Sequence, residues 1–166
     1  MTFTTEPRPD STTPTPRLVS VIVPSLNRPD LAKRCLWFLS QQTLSPENYE
    51  VVVAENDAEP GLTQQNGLAS NVRRLMLAGN YGTAGAINRG LAASSSKYVL
   101  LLNNDVELEP DFLTTLVSVL DRNDQYAFAT GKLLSASDRG CLDGAGDALL
   151  QGGGAYRLGQ DRKSVV

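Results

Sequence analysis

Four runs rich in β-branched residues or leucine set the fold class of this chain: VSVIV at 19–23, EVVVA at 50–54, VRRLML at 72–77 and YVLLL at 98–102. Each runs into a cluster of Asn, Asp, Ser, Pro or Gly, and most lead on to a helical pattern. The spacing predicts strands over 18–23, with Pro24 as the stop, then 49–56, 71–77 and 97–102. The fourth is nearly all apolar, as a strand covered on both faces would be. YAFATG at 126–131 predicts a short fifth strand.

Helical periodicity lies between the runs. Leu31, Cys35, Phe38 and Leu39 recur at helical spacing after Pro29 and Asp30, residues suited to a first turn. Ile87 and Leu91 lie four apart behind a Gly-rich turn, and Phe112, Leu116 and Val119 mark a third helix. Residues 58–70 read as a loop with a short helix, and the Gly-dense stretch from Lys132 as loops with one or two irregular strands. Strands alternating with helices imply parallel pairing and right-handed crossovers. The expected fold is α/β, an open, mostly parallel, Rossmann-like sheet flanked by helices.

The 166 residues suit one domain. Residues 1–16, rich in Thr and Pro, read as a disordered leader, which leaves 17–166 as the ordered domain. A net charge of −3 gives no basic field for nucleic acid, so no nucleic-acid partner is expected. No apolar run is long enough to span a bilayer and the leader lacks a signal-peptide core, so a cytoplasmic protein is expected. The absence of histidine excludes His-based triads and imidazole acid–base catalysis. Cys35 and Cys141 have no metal-ligand spacing. Any catalysis must therefore rest on carboxylates, amides, hydroxyls, Arg or Lys, with or without a bound cation.

In open parallel sheets, ligands bind beyond the carboxyl ends of the strands. Polar residues gather there: PSLNRPD, ENDAEP, GNYGTAGAINRG and NNDVE. Each has a plain alternative, because turns favour the same residue types. Pro24 to Asn27 could lie along a base, with Ser25 and Asn27 as hydrogen-bonding groups, or could simply cap the first helix. Glu55 could accept from a base or ribose, or sit in a solvated turn. The glycines at 79, 82 and 85 allow close backbone approach at a helix N-terminus. Asn88 and Arg89 could reach a phosphate or sugar, or belong to a tightly packed helix. The first turn lacks the G-x-G-x-x-G pattern and no Walker A sequence is present, which argues against dinucleotide and P-loop sites.

Together, VSVIVPSLNRPDLAKRCL, EVVVAEND, GNYGTAGAINRGL, YVLLLNNDVELEPDFL, LDGAGD and GGGAYRLG resemble the family 2 glycosyltransferases of the GT-A fold, particularly the bacterial rhamnosyltransferase-like members. The resemblance covers residues 18 to about 160 and implies a nucleotide-diphosphate-sugar donor site, as in polysaccharide biosynthesis. It gives Pro24, Ser25 and Asn27 a nucleoside role and Glu55 a second one, at a place where the family more often has Asp. Asn80, Gly85 and Asn88 would border the donor sugar and diphosphate. The Asp-x-Asp-like motif falls on NND, with Asp105 as the carboxylate for Mg²⁺ or Mn²⁺ and Asn103 and Asn104 in place of acids. Asn104 would bind donor-sugar hydroxyls.

The implied reaction is transfer with inversion to an acceptor hydroxyl, on a carbohydrate or a lipid-linked glycan at the inner face of the membrane. The catalytic residue is unassigned. Asp143 and Asp147 are the clustered late acids, as open to a Gly-turn role as to that of a base. The chain therefore reads as the donor-binding part of a GT-A domain lacking most of its acceptor half. The alternatives are a non-catalytic nucleotide-sugar-binding or interaction module, and a flavodoxin-like domain with another small ligand. An uncovered sheet edge would favour a homodimer.

Overall fold

The computed structural model describes residues 17–57 and 68–159. The expected leader and most of the segment 58–70, expected as a loop with a short helix, lie outside the described residues, and 68–70 are not helical. The chain divides into two compact units, 1–107 and 108–166.

The first unit is built on a parallel sheet. Its strands are β1 (Val19–Leu26), β2 (Tyr49–Asn56), β3 (Val72–Met76) and β4 (Tyr98–Leu101), in spatial order β3-β2-β1-β4. Helices α1 (Pro29–Ser40) and α2 (Gly82–Ala92) cover it. Alternate residues of a strand point to opposite faces, and the register pairs Val21 with Val51 and Ile22 with Val52. Tyr49 stands on the α1 side, its hydroxyl donating to the Leu39 carbonyl at 2.7 Å. Ile22 stands on the α2 side, where Gly90 leaves no room for a Cβ: one would lie 2.5 Å from Ile22 Cγ2. Val21, Ile22, Val51 and Val52 are fully buried.

The chain winds from β1 to β2 to β3 in one direction, then returns to place β4 on the far side of β1. Right-handed crossovers in opposite directions put their helices on opposite faces, as α1 and α2 are. The reversal creates a switch point between β1 and β4.

Pro24 does not stop β1, which runs on to Leu26 with Pro24 beside Ala54. The Leu18 and Ile22 carbonyls accept from Tyr98 and Leu102 N–H, so even-numbered residues of β1 direct their backbone groups toward β4. The last rung there is Ile22 with Leu101. Proline lacks the N–H that would make the next bond toward β4, and the β1–β4 pairing ends there while β1 runs on against β2.

β4 is not covered on both faces. It is an edge strand, with Val99 and Leu101 42% and 54% exposed.

In the second unit, α3 (Phe112–Arg122) buries Leu113. Gly131 lies against the Phe112 ring, so close that a Cβ would be 2.6 Å from it. Residues 126–131 form no strand and pair with none among the described residues, and Phe128 is 85% exposed. Alternating apolar residues make a strand only where a partner offers a ladder. Four short strands form two antiparallel pairs: β5 (Leu133–Leu134) with β6 (Leu142–Gly144), and β7 (Asp147–Leu149) with β8 (Ala155–Arg157).

Candidate functional site

The four parallel strands end on one edge of the first unit, and every donor-site residue expected from the sequence lies within that unit. β1 and β2 finish together on the rung Leu26–Asn56. The next residue of each, Asn27 and Asp57, adopts a left-handed backbone with φ of 47° and 50°. Asn and Asp tolerate that conformation better than other non-glycine residues. Both chains therefore leave the sheet at the same level. Ser25 is buried and Pro24 half-buried, whereas Asn27 is exposed.

Along β2, Glu55 pairs with Ser25 on one side and Met76 on the other. Its carboxylate is held by Arg74 of β3, the two side chains only 12% and 14% exposed. Asn56, one residue on, faces α2 and is buried. Its amide nitrogen donates to the Gly82 carbonyl at 3.2 Å, and its Oδ1 accepts from Tyr81 N–H at 3.1 Å. One amide thus fastens the end of β2 to the first turn of α2.

That turn carries the Gly-rich motif. The Asn80 side chain accepts from Gly82 N–H at 2.9 Å, and Gly82 has φ 68°, which a glycine adopts without strain. At Gly85 a Cβ would meet Tyr81 Cβ at 2.6 Å, so its bareness lets the Tyr81 side chain fold over the helix. Asn88 is exposed. The Arg89 guanidinium lies 3.5 Å from the centre of the Tyr81 ring and donates to the Gly85 carbonyl at 3.1 Å, so here it braces the turn.

Beyond β4 the chain passes through Leu102, whose N–H donates to the Ile22 carbonyl, into Asn103, Asn104 and Asp105. Asn104 and Asp105 form a turn; Asn103 and Asp105 are exposed and Asn104 half-buried. Cys35 of α1 lies beneath, its thiol directed at the Asn103 carbonyl at 4.0 Å. Burial, together with the negative charge of Asp105, pushes that thiol up to about 11. Arg34 of α1 pairs with Glu107 and ties down the far end of the loop.

Strand order places Asn80 (after β3), Glu55 (β2), Ser25 and Asn27 (β1) and Asn103–Asp105 (after β4) in that sequence along the edge. The last two groups flank the switch point, where an open α/β sheet offers its crevice. Among the described residues no three acidic or thiol groups converge as a metal cage. One exposed carboxylate beside amide oxygens fits a hard cation that takes its remaining ligands from phosphate and water.

In the second unit, Asp143 is paired with Arg157 at 2.7 Å, and bare Gly144 makes space for the arginine stem. Asp147 is exposed on β7.

Sequence reasoning passed over Asn56 and Arg74. The signal for Asn56 was its parity: it shares the inward face with Val52 and Ala54, and a buried amide must find partners.

Residues 20–138 match the family model described as Glycosyl transferase family 2. The chain is 30% identical over 118 residues to validoxylamine A glucosyltransferase from Streptomyces hygroscopicus subsp. limoneus, a match covering 68% of this chain and 25% of that protein. It thus spans about a quarter of that relative's length. S. aureus TarS 1-349 in complex with UDP-GlcNAc is similar in fold, with a TM-score of 0.57 and 24% identity over 64% of this chain and 32% of that one. The mannosyltransferase PcManGT from Pyrobaculum calidifontis, in complex with GDP-Man and Mn²⁺, gives 0.54 and 24% over 78% and 38%.

Proposed function

Since the chain belongs to glycosyl transferase family 2, we propose that its first unit is the donor site of a glycosyl transfer reaction that uses a nucleotide-diphosphate sugar. The observation that carries this reading is the switch point, where β1, leading through Ser25 to Asn27, is the neighbour of β4, which leads on to Asp105. Solved relatives holding UDP-GlcNAc, or GDP-Man with Mn²⁺, support it.

In this reading Pro24, Ser25, Asn27 and Glu55 hold the nucleoside. Asn80, Gly85 and Asn88 border the diphosphate and sugar, and the amides of Asn103 and Asn104 take sugar hydroxyls. Asp105 would hold a divalent cation, Mg²⁺ or Mn²⁺, which neutralises charge on the diphosphate. An acceptor hydroxyl oxygen bonds to the anomeric carbon as the bond to the diphosphate breaks, with inversion, and the hydroxyl proton passes to a general base. The order of motifs supports a rhamnosyltransferase-like member.

Calorimetric titration with UDP, GDP and dTDP sugars, with and without Mn²⁺, tests the donor site. Binding is expected to strengthen with Mn²⁺ and to lose that gain in Asp105→Ala. No binding of any donor, together with an unchanged Asp105→Ala variant, would sink the reading.

A second reading, a nucleotide-sugar-binding module without turnover, draws on Asp143 being occupied by Arg157. Turnover assays with candidate acceptors separate the two.

A further inference from the structure

The acid at position 55 does not stand alone at the strand end. The β2–β3 register sets Val53 beside Arg74 and Glu55 beside Met76. Glu55 and Arg74 are thus diagonal neighbours on one face of the sheet, within reach for long side chains. An Arg74 Nη2 hydrogen bond goes to Glu55 Oε1, and both side chains are largely withdrawn from water. The extra methylene that distinguishes Glu from Asp is what lets the carboxylate lean across to the next strand.

We infer that Arg74 belongs to the nucleoside pocket in two ways, fixing the Glu55 carboxylate and offering its own N–H groups beside it, so that the pair selects bases presenting an N–H beside a carbonyl. This rests on the donor-site reading above. A carboxylate only accepts, and a guanidinium only donates, through five N–H groups in a rigid fork. Held side by side they form an acceptor next to a donor. Uracil, with N3–H between two carbonyls, and guanine, with N1–H beside O6, are the complements. Cytosine and adenine offer the reverse, a ring lone pair beside an amino group. That sets lone pair against carboxylate and N–H against guanidinium.

A matched two-point contact of this type discriminates by about 10- to 100-fold. Swinging loose without Arg74, Glu55 would lose the geometry on which the selection depends.

The test is calorimetry of the full chain with UDP, GDP, CDP and ADP, in the presence of Mn²⁺. The wild type is expected to bind UDP or GDP about 10- to 100-fold more tightly than CDP and ADP. Arg74→Met is expected to weaken the preferred nucleotide and compress its ratio to CDP to within about threefold, with Arg74→Lys restoring part of it. In Glu55→Gln, whose amide both accepts and donates, the preference over CDP is expected to shrink as well. Circular dichroism checks that each variant is folded; if Arg74→Met is not, Arg74→Lys and Glu55→Gln carry the test. A wild-type ratio retained in the folded Arg74 and Glu55 variants overturns the inference while leaving the donor site standing. A wild type that binds none of the four nucleotides overturns the donor site, and this inference with it.

Discussion

Helix α2 carries Gly85 and Asn88 and rests on β1 through Gly90 and Ile22, so replacing Gly90 by alanine tests how closely that seat is packed. The new methyl carbon would lie 2.5 Å from Ile22 Cγ2, whereas ordinary contacts are 3.4–4 Å. The helix or Ile22 must therefore retreat by about 1 Å, and overpacking of this kind costs roughly 1–3 kcal/mol. Alanine in a helix recovers about 1 kcal/mol relative to glycine. The net loss should be roughly 0–2 kcal/mol. Ile22→Ala alone should cost about 2–5 kcal/mol, because Ile22 is fully buried. In the double variant the new methyl enters the vacated space and the clash disappears. Gly90→Ala should then stabilise the Ile22→Ala background while being neutral or harmful in the wild type, a coupling of roughly 1–3 kcal/mol. Urea titration followed by emission of the chain's single tryptophan, Trp37 of α1 in the same unit, measures it. Additivity within about 0.5 kcal/mol would refute the packing argument.

Other consequences concern charge, thiols and assembly. Burial opposes ionisation of Glu50, but the Ser20 hydroxyl at 2.6 Å and Arg73 at 3.1 Å outweigh it and hold the carboxyl below its usual range. A lowered carboxyl contributes stability that is present above its unfolded pKa and lost as pH falls through its folded one. Stability should drop on acidification from about pH 5, and Glu50→Gln should flatten that slope; an identical slope in the variant would contradict this. Cys35, fully buried and raised to about 11, should resist alkylation at pH 8 while half-buried Cys141 reacts. The unfolded chain gains a thiolate above about pH 9, so stability should also decline between there and about 11; mass spectrometry showing both thiols modified at equal rates would disprove the burial argument. The homodimer expected from the sequence would use the open β4 edge. Sedimentation should then depend on concentration in the wild type and not in Leu101→Lys, and a concentration-independent wild-type monomer would exclude it.

The strand ladder of the first unit was legible because buried parallel strands carry runs of apolar residues, Val21–Val23 in β1 and Val51–Ala54 in β2. The common polar edge followed from that. Pro24 misled because its tolerance depends on where β4 stops, which is a property of another strand. YAFATG had the pattern of a strand, but pairing depends on a neighbour that a local pattern does not encode. β4 read as doubly covered because its composition is apolar, whereas coverage depends on what packs beside it. The Arg74–Glu55 pair was hidden for a sharper reason. A one-residue slip in the β2–β3 register would send the two side chains to opposite faces. Only the register itself brings them together.

The strand order also sets a schedule for synthesis. Of the four parallel strands β1 is made first, yet one flank waits for β4, which is finished about 45 residues after β2 ends. At ribosomal rates of about 5–20 residues per second that interval is roughly 2–9 s. During it, β1 and β2 can pair while the other side of β1, Val19 to Ile22, stays open to any extended chain nearby. Slower translation through residues 57–101 is therefore expected to lengthen the time for which that flank of β1 stays open.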